Sequence, residues 1–227
     1  IISLLGTGGF SLTYIAEQRS PRVRVAIKEF FPRGCIRQGL NVVVAPGWDE
    51  KTLTLGLEDF VREGQVIKLF EHPSIVQCYS PFEENGTAYC PMELLEGESL
   101  LHQLGQRGVM NQRQVLEVVR QLGGALEQIH SGDIIHSDIK PENIHLIGGR
   151  RAKLLDFGFA HQPGDNSELL EDGCVLGTAN YIAPELCNDP PTDDFSNDVF
   201  GLGVMLYELL TGELPYEEGS TEETMIL

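Results

Sequence analysis

The spacing of hydrophobic residues changes along the chain. Residues 22–30 alternate between polar and β-branched apolar side chains and residues 12–16 form a second strand-like run, so both are predicted to be β-strands. Residues 57–70 and 111–129 instead carry apolar residues three and four positions apart, which predicts amphipathic helices. Asn111 is the predicted N-cap of the second helix.

Glycine, proline and asparagine residues mark the turns between these elements. Asn85-Gly86 and Gly148-Gly149 each separate two apolar runs, so each pair is predicted to be a hairpin turn. The paired strands are predicted at residues 75–79 with 87–94 and at residues 144–147 with 152–155. An insert is predicted at about residues 32–56, rich in chain breakers, with a short hairpin arm at residues 40–45.

Charge and composition narrow the classes of partner. A formal charge of −18 over 227 residues argues against binding to nucleic acid or to an anionic membrane surface. The longest apolar tract, residues 199–210, contains Glu208 and follows Asp198, so it is predicted to be a buried helix and not a membrane segment.

The cysteines and the chain start bear on the cellular setting. The five cysteines are scattered without metal-ligand spacing, which favours reduced thiols and a cytoplasmic location. The chain does not begin with Met, which indicates a fragment; a membrane anchor outside it is compatible with the sequence. Nothing in the sequence indicates an oligomeric state.

A polar stretch at residues 135–143 concentrates the candidate chemistry. It lies between two apolar runs and is predicted to be a loop held between packed elements. Asp138, Lys140 and Asn143 supply a carboxylate, an ammonium and an amide within it, and Asp156 follows before a hinge glycine. Such groups are suited to handling a hydroxyl, a phosphate and a metal ion.

This loop and the triplet at residues 156–158 resemble the catalytic loop and the metal-binding Asp-Phe-Gly of the protein kinases. The matching loop residues are His136, Asp138, Lys140 and Asn143. The Ala-Pro-Glu at residues 183–185 is similar to the segment that separates protein kinases from small-molecule kinases.

The resemblance implies an α+β, protein-kinase-like two-lobe fold. Residues 1–94 would form a small, mostly antiparallel β lobe with one main helix and the insert, and residues 95–227 a larger, mostly helical lobe. Kinase domains continue through further helices, so the second lobe is expected to be incomplete in this chain.

The resemblance also assigns catalytic roles. Asp138 would orient the acceptor hydroxyl and accept its proton, and Lys140 would neutralise the γ-phosphate as it moves. Asn143 and Asp156 would be the Mg²⁺ ligands. In the family Asp198 hydrogen-bonds the backbone of the catalytic loop, whereas its sequence position is also that of a helix N-cap.

In the first part of the chain, Lys28 ends an apolar run as in the kinase Val-Ala-Ile-Lys, where the lysine contacts the α- and β-phosphates of ATP. A lysine facing a cleft needs a counter-charge, and Glu63 on the helix at residues 57–70 is the predicted partner. The alternative is an edge lysine whose tip is solvated.

The remaining positions that the resemblance places around ATP include a glycine-rich turn and a hinge. They are Leu5, Gly6, Gly8, Gly9, Thr13, Ala26, Met92, Glu93, Leu95 and His145. Exposed N–H groups in a glycine-rich turn can hold phosphate oxygens, although a plain hairpin turn has the same composition. Ser11 stands where the family has a third glycine. Ser99 fits a ribose contact or, more simply, a helix N-cap.

The activity implied is transfer of the γ-phosphate of ATP, with Mg²⁺, to a Ser or Thr hydroxyl of a protein. Lys140 and Thr178 resemble the Ser/Thr-specific members, and the Lys-Glu-Phe-Phe-Pro at residues 28–32 resembles a bacterial branch. The alternative is a pseudokinase, a nucleotide-binding or scaffolding module, which Ser11, Pro91, His145 and the early end of the chain would favour.

One departure from the family concerns regulation. Ser137 replaces the arginine that usually grips a phosphorylated activation loop, and a short neutral hydroxyl cannot pair bidentately with phosphate. We therefore predict that activity does not require phosphorylation between Gly158 and Thr178.

Overall fold

The structure is a computed structural model and describes residues 1–45, 50–165, 177–188 and 191–216. The chain forms two compact units. The first unit comprises residues 1–71 and 76–95, and the second comprises residues 72–75 and the described part of 96–227. Strands predominate in the first unit and helices in the second, so the predicted α+β class is confirmed.

The first unit is organised around an antiparallel sheet of five strands. These are β1 (Ser3–Thr7), β2 (Ser11–Arg19), β3 (Arg22–Phe30), β6 (Phe82–Glu84) and β7 (Thr87–Glu93). Their order is β1-β2-β3-β7-β6. The predicted strand at residues 22–30 is confirmed, and Val25, Ala26 and Phe30 of this strand are buried.

The hairpin around Asn85-Gly86 is present, but its first strand was predicted wrongly. Both turn residues have positive φ, 57° and 70°, as a tight hairpin turn requires. The strand that pairs with β7 is β6, close to the turn. Residues 75–79 make only isolated bridges, from Ile75 to Leu154 in the second unit and from Cys78 to Met92 in the first.

Pro91 is tolerated inside β7 because of the direction in which its missing N–H points. Its carbonyl accepts a hydrogen bond from the Tyr79 N–H at 2.8 Å. The N–H and C=O of one residue in an antiparallel strand face the same neighbour. The lost donor therefore lies on the Tyr79 side, and the pairing of Pro91 with Ile27 of β3 loses no hydrogen bond.

The insert forms a hairpin that is longer than the predicted arm at residues 40–45. Its strands are β4 (Cys35–Gln38) and β5 (Asn41–Val44). The hairpin docks on the sheet through Arg37, which lies 2.6 Å from the buried carboxylate of Glu29, while the Val42 N–H donates to the Asn85 carbonyl at 2.8 Å. Residues 46–49 of the insert lie outside the described residues.

The main helix of the first unit, α1 (Glu50–Ile67), begins and ends earlier than the predicted 57–70. The last residues of the predicted insert are therefore helical. Phe60 packs on Phe30 with ring centroids 5.6 Å apart, and Ile67 is buried. A Cβ on Gly64 would lie 2.9 Å from the Cys90 Sγ, so the helix approaches β7 closely at this glycine.

The second unit combines helices with a small sheet. The elements are α2 (Leu100–Arg107), α3 (Gln112–Ser131), α4 (Ser196–Thr211), β8 (Gly97–Ser99), β9 (Ile144–Ile147) and β10 (Arg151–Leu154). The predicted hairpin around Gly148-Gly149 is confirmed as the antiparallel pair β9–β10, and β8 extends it on the other side of β9.

The helix caps of the second unit follow the sequence expectations. Asn111 accepts from the Gln114 N–H at 3.0 Å, and Ser99 accepts from the His102 N–H at 3.1 Å, which is the N-cap role considered for Ser99. The apolar positions of α3 are buried at Val115, Val118, Leu122, Ala125, Leu126 and Ile129.

Residues 199–210 belong to α4, whose Met205 and Leu209 are fully buried. Glu208 within this tract accepts a 2.5 Å hydrogen bond from the Tyr181 hydroxyl. Within the described ranges, no helix has both the length and the apolar character needed to cross a bilayer.

Candidate active site

The loop at residues 135–143 is fastened by a carboxylate that lies far away in the sequence. Asp198, in the first turn of α4 and 1% exposed, accepts hydrogen bonds from the backbone N–H groups of His136 at 2.9 Å and Ser137 at 2.8 Å. His130 Nε2 lies 2.8 Å from the same carboxylate. The N-cap of α4 is Phe195, so the capping alternative for Asp198 is wrong.

Ser137 has a left-handed backbone with φ of 65°, which turns two consecutive N–H groups toward Asp198. Gly177 packs on this turn. A Cβ on Gly177 would lie 2.7 Å from the Ser137 carbonyl oxygen, and the φ of Gly177 is 128°. Glycine is therefore required there on two grounds, close approach and backbone conformation.

His136 forms the floor of the loop as a neutral imidazole. It is fully buried, and burial lowers its pKa despite the nearby carboxylates of Asp198 and Asp138. Its Nδ1 accepts from the Asp138 N–H at 3.3 Å, so Nε2 carries the hydrogen and faces the Leu155 carbonyl at 3.3 Å. The ring also meets Phe157 edge to face at 4.7 Å.

Asp138 is the centre of a compact polar cluster in the second unit. Its Oδ2 accepts from Asn143 Nδ2 at 2.7 Å and lies 2.8 Å from Lys140 Nζ. Its Oδ1 accepts from the Thr178 hydroxyl at 2.6 Å, and Lys140 donates to that hydroxyl at 2.5 Å. A carboxylate with these partners has a fixed orientation.

The donor set at Asn143 and Asp156 suits a hard cation. The Asn143 amide nitrogen donates to both the carbonyl and the carboxylate of Asp138, so its oxygen is the atom left for a metal. Asp156 has a left-handed backbone, φ 52°, and an exposed side chain. Carboxylate and amide oxygens fit Mg²⁺, with phosphates and water as further ligands. In the part of the chain that is described, no cluster of three or more His, Cys, Asp or Glu side chains forms a metal site.

In the first unit the predicted ion pair between Lys28 and Glu63 is present. The Lys28 ammonium lies 2.8 and 3.2 Å from the two carboxylate oxygens of Glu63. It also lies 5.7 Å from the centroid of the Phe60 ring on α1. Both partners are largely buried, at 19% and 11% exposure, so the alternative of a solvated edge lysine is wrong.

The glycine-rich turn joins β1 and β2 and is open on its outer side. The Gly8 N–H donates to the Ser11 carbonyl at 2.7 Å. A Cβ on Gly6 or Gly9 would have no described atom within 4 Å. Leu5 lies at an irregularity in the pairing of β1 with β2, and Thr13 lies opposite Lys28 in the pairing of β2 with β3.

Two of the predicted hinge residues sit at the end of β7. Met92 pairs with Ala26 and Glu93 pairs with Val25 of β3. The Glu93 N–H donates to the Gln77 carbonyl at 2.9 Å, so this N–H is already hydrogen-bonded inside the first unit. Leu95 is the last residue of this unit.

His145 lies on β9, opposite Ser99 of β8. Burial lowers its pKa, so the ring is neutral near pH 7. Its Nδ1 is buried without a hydrogen-bond partner among the described residues. A neutral ring of this kind can present an apolar face to a flat ligand.

Sequence reasoning missed the second attachment of the loop, at His161. The Ile135 N–H donates to the His161 carbonyl at 2.8 Å and the reverse bond is 3.1 Å. The His161 Nε2 lies 3.0 Å from Asp193. Thr178 was predicted only to indicate Ser/Thr specificity. Its contact with Asp138 could not be predicted from the spacing of nearby residues, because the two lie 40 positions apart in the chain.

Comparison with known proteins identifies the family of this chain. The protein kinase domain family matches residues 1–227, the whole chain. The chain is 34% identical over 223 residues to the serine/threonine-protein kinase Nek5 of Mus musculus, covering 97% of this chain and 32% of that protein. It is 34% identical to the serine/threonine-protein kinase pkn2 of Myxococcus xanthus, covering 96% of this chain and 25% of that protein.

A third relative, the serine/threonine-protein kinase PknB of Mycobacterium leprae, is 37% identical over 161 residues, covering 69% of this chain and 26% of that protein. The chain thus spans about a third or less of the length of these relatives. The predicted two-lobe kinase fold is confirmed by the whole-chain match. This chain belongs to the protein kinase domain family.

Proposed function

We propose that the protein is an ATP-dependent protein serine/threonine kinase of bacterial type that acts in cytoplasmic signalling. The observation that carries the proposal is the cluster around Asp138, in which a buried carboxylate is held by Asn143 and Lys140 and already accepts a hydrogen bond from an aliphatic hydroxyl, that of Thr178. Residues 1–94 are assigned to the small lobe and residues 95–227 to the large lobe.

In this proposal Asp138 orients the Ser or Thr hydroxyl of a protein substrate. The substrate hydroxyl donates to the Asp138 carboxylate as Thr178 does, and its proton passes to that carboxylate as the oxygen attacks phosphorus. Lys140 offsets the negative charge of the γ-phosphate as it transfers. Both roles need a fixed geometry, which the backbone contacts of Asp198 support.

The remaining residues bind the nucleotide and the metal. Asn143 and Asp156 would hold Mg²⁺, which when bound offsets phosphate charge. Lys28, oriented by Glu63, would bind the α- and β-phosphates. The glycine-rich turn (Gly6, Gly8 and Gly9) would lie over the phosphates, with the Gly8 N–H already bonded to the Ser11 carbonyl. Leu5, Thr13, Ala26, Met92, Glu93, Leu95 and His145 would enclose the base and ribose.

Substitution of Asp138 by Asn tests the proposal. Incubation with labelled ATP, Mg²⁺ and a generic protein should label Ser and Thr residues. Asp138→Asn should lower the rate of labelling by about 10²- to 10⁴-fold, because the substrate hydroxyl then has no carboxylate to take its proton. Asp133→Asn, at an exposed carboxylate with φ of 60° that asparagine tolerates, is the matched control. Equal labelling by Asp138→Asn and the unmodified protein would leave the scaffolding alternative.

A further inference from the structure

A groove in the second unit lies apart from the candidate catalytic residues. Its volume is about 820 Å³, within the range of ligand-binding clefts of about 300–1,000 Å³. It runs along α3, past residues 72–74 and beside the turn between β9 and β10. The side chains proposed for catalysis and for nucleotide binding do not line it.

The groove is basic although the chain is strongly acidic. Its lining includes four arginines, Arg113, Arg120, Arg150 and Arg151, out of 16 lysines and arginines in a chain of charge −18. All four are exposed. Glu117 is the single acidic residue of the lining. Clustering of this kind in a protein of opposite net charge marks a local site for anions.

Most of this positive charge is not neutralised by neighbouring side chains. Among the described residues Arg113, Arg150 and Arg151 form no ion pair. Arg120 pairs with Glu117 at 2.7 and 3.1 Å in a two-point contact. The contact between Arg120 and Glu117 therefore shows the geometry in which an arginine of this groove can bind a carboxylate.

The walls of the groove are fixed to one another. Gln121 of α3 donates to the Arg150 carbonyl at 2.9 Å and accepts from the Ala152 N–H at 3.0 Å, which joins the helix to the β9–β10 hairpin. On the other side, His72 lies beside α3, where a Cβ on Gly124 would be 3.5 Å from the His72 Nε2. The floor is apolar, formed by the buried Met110 and Val118.

The spacing of the charges fits an extended peptide. Arg113 and Arg120 are seven residues apart on α3, which places them about 10 Å apart along one face of the helix. In an extended chain of polyproline II type, which has three residues per turn, side chains three residues apart lie on one face at a similar separation of about 9 Å.

We propose that this groove docks an extended acidic segment of a partner protein, with carboxylates about three residues apart paired to its arginines. Arginine forks match carboxylates in two-point contacts, which favours this chemistry. A long polyanion such as nucleic acid would meet the repulsion of the whole chain at a charge of −18, whereas a short segment inside the groove meets mainly the local positive field.

A direct binding measurement tests the proposal. A short fluorescent peptide with Glu at every third position and Leu between is titrated onto the whole protein without nucleotide, beside the same peptide with Gln for Glu. We expect the Glu peptide to bind at least about tenfold more tightly. One exposed ion pair changes affinity by up to about fivefold. The double variant Arg113→Gln with Arg151→Gln removes two such pairs, so it should bind the Glu peptide about tenfold more weakly.

Two further variants make the outcome specific. Arg22→Gln with Arg24→Gln, at exposed positions of β3 in the first unit, changes the net charge equally and should leave binding unchanged. Glu117→Gln releases Arg120 and should strengthen binding about threefold. Equal binding of the two peptides, equal losses in the two double variants, or tighter binding of an oligonucleotide would each overturn the proposal. Because no phosphotransfer is measured, the result is independent of the proposed kinase activity.

Discussion

Asp198 and His161 attach to the loop at residues 135–143 at different points. Asp198 binds the backbone N–H groups of His136 and Ser137, and His161 pairs through its backbone with Ile135. Removal of the Asp198 carboxylate would leave the His136 and Ser137 N–H groups without their acceptor, at a cost of about 1–3 kcal/mol for a buried group. At the scale of single residues, the loop therefore owes its shape to buried polar contacts as well as to its own sequence.

His161 should make stability depend on pH. Burial alone would lower its pKa, but the hydrogen bonds to Asp193 and to the Phe159 carbonyl, together with the charges of Asp193 and Asp198, raise it. The folded protein therefore holds the proton more tightly than the unfolded chain. This contribution is fully present below about pH 6.5 and is lost as the pH rises through the elevated folded pKa.

In the unmodified protein, His161 should make the free energy of unfolding fall above about pH 6.5, and this part of the fall should be absent from His161→Asn. Urea titration from pH 5 to 9 measures the free energy of unfolding of both proteins. His72, His136 and His145 have pKa values lowered by burial and act in the opposite direction, below about pH 6.5. The informative quantity is therefore the difference between the variant and the unmodified protein. His102→Asn, at an exposed histidine, is the control. A constant difference across this range would contradict the prediction.

At the scale of elements, α1 and α3 use glycine for different reasons. Gly64 brings α1 against Cys90 and Pro81, where a Cβ would lie 2.9 and 3.3 Å from side-chain atoms. Gly64 follows Glu63 directly, so this approach also positions the partner of Lys28. A Cβ on Gly123 in α3 would have no described atom within 4 Å, so no close contact depends on this glycine.

Alanine substitution should separate these two glycines. Gly123→Ala should raise the free energy of unfolding by about 0.5–1 kcal/mol, because alanine is the better helix former and no described neighbour must move. Gly64→Ala gains the same propensity but overpacks the contact with β7, so a net loss of about 1–2 kcal/mol is expected. Urea unfolding at one pH measures both. A stabilised Gly64→Ala would show that α1 is not held at this distance.

At the scale of the whole molecule, Ser137 bears on the regulation of the proposed activity. Its hydroxyl lies 3.5 Å from His161 Nδ1 and offers no positive charge to a phosphate. Ser167, which lies outside the described residues, and Thr178 are the hydroxyls between Gly158 and Thr178. Thr178 is engaged with Asp138 and Lys140.

We predict that Ser167→Ala keeps kcat within about twofold of the unmodified protein, because the site has no arginine at position 137 to read a phosphate. Initial rates of peptide phosphorylation before and after phosphatase treatment measure this directly. Loss of turnover in Ser167→Ala, or after phosphatase treatment, would refute it. Asp138→Asn serves as the inactive reference.

The sequence alone determined the features that depend on neighbouring residues. The turns at Asn85-Gly86 and Gly148-Gly149, the capped helix α3 and the motif around Asp138 were all readable, because turn chemistry, helical periodicity and motif spacing are local properties. The Lys28–Glu63 pair was also predicted, since family resemblance supplied a long-range contact that spacing could not.

Only the tertiary structure decided which distant groups meet. Residues 75–79 were predicted as one strand but are divided between two units, because pairing depends on which edges are available and not on propensity. The same holds for the contact of Thr178 with Asp138, for the pairing of His161 with Ile135 and for the arginine groove. Each joins residues far apart in the chain, and such contacts form only when the burial of apolar surface brings their elements together.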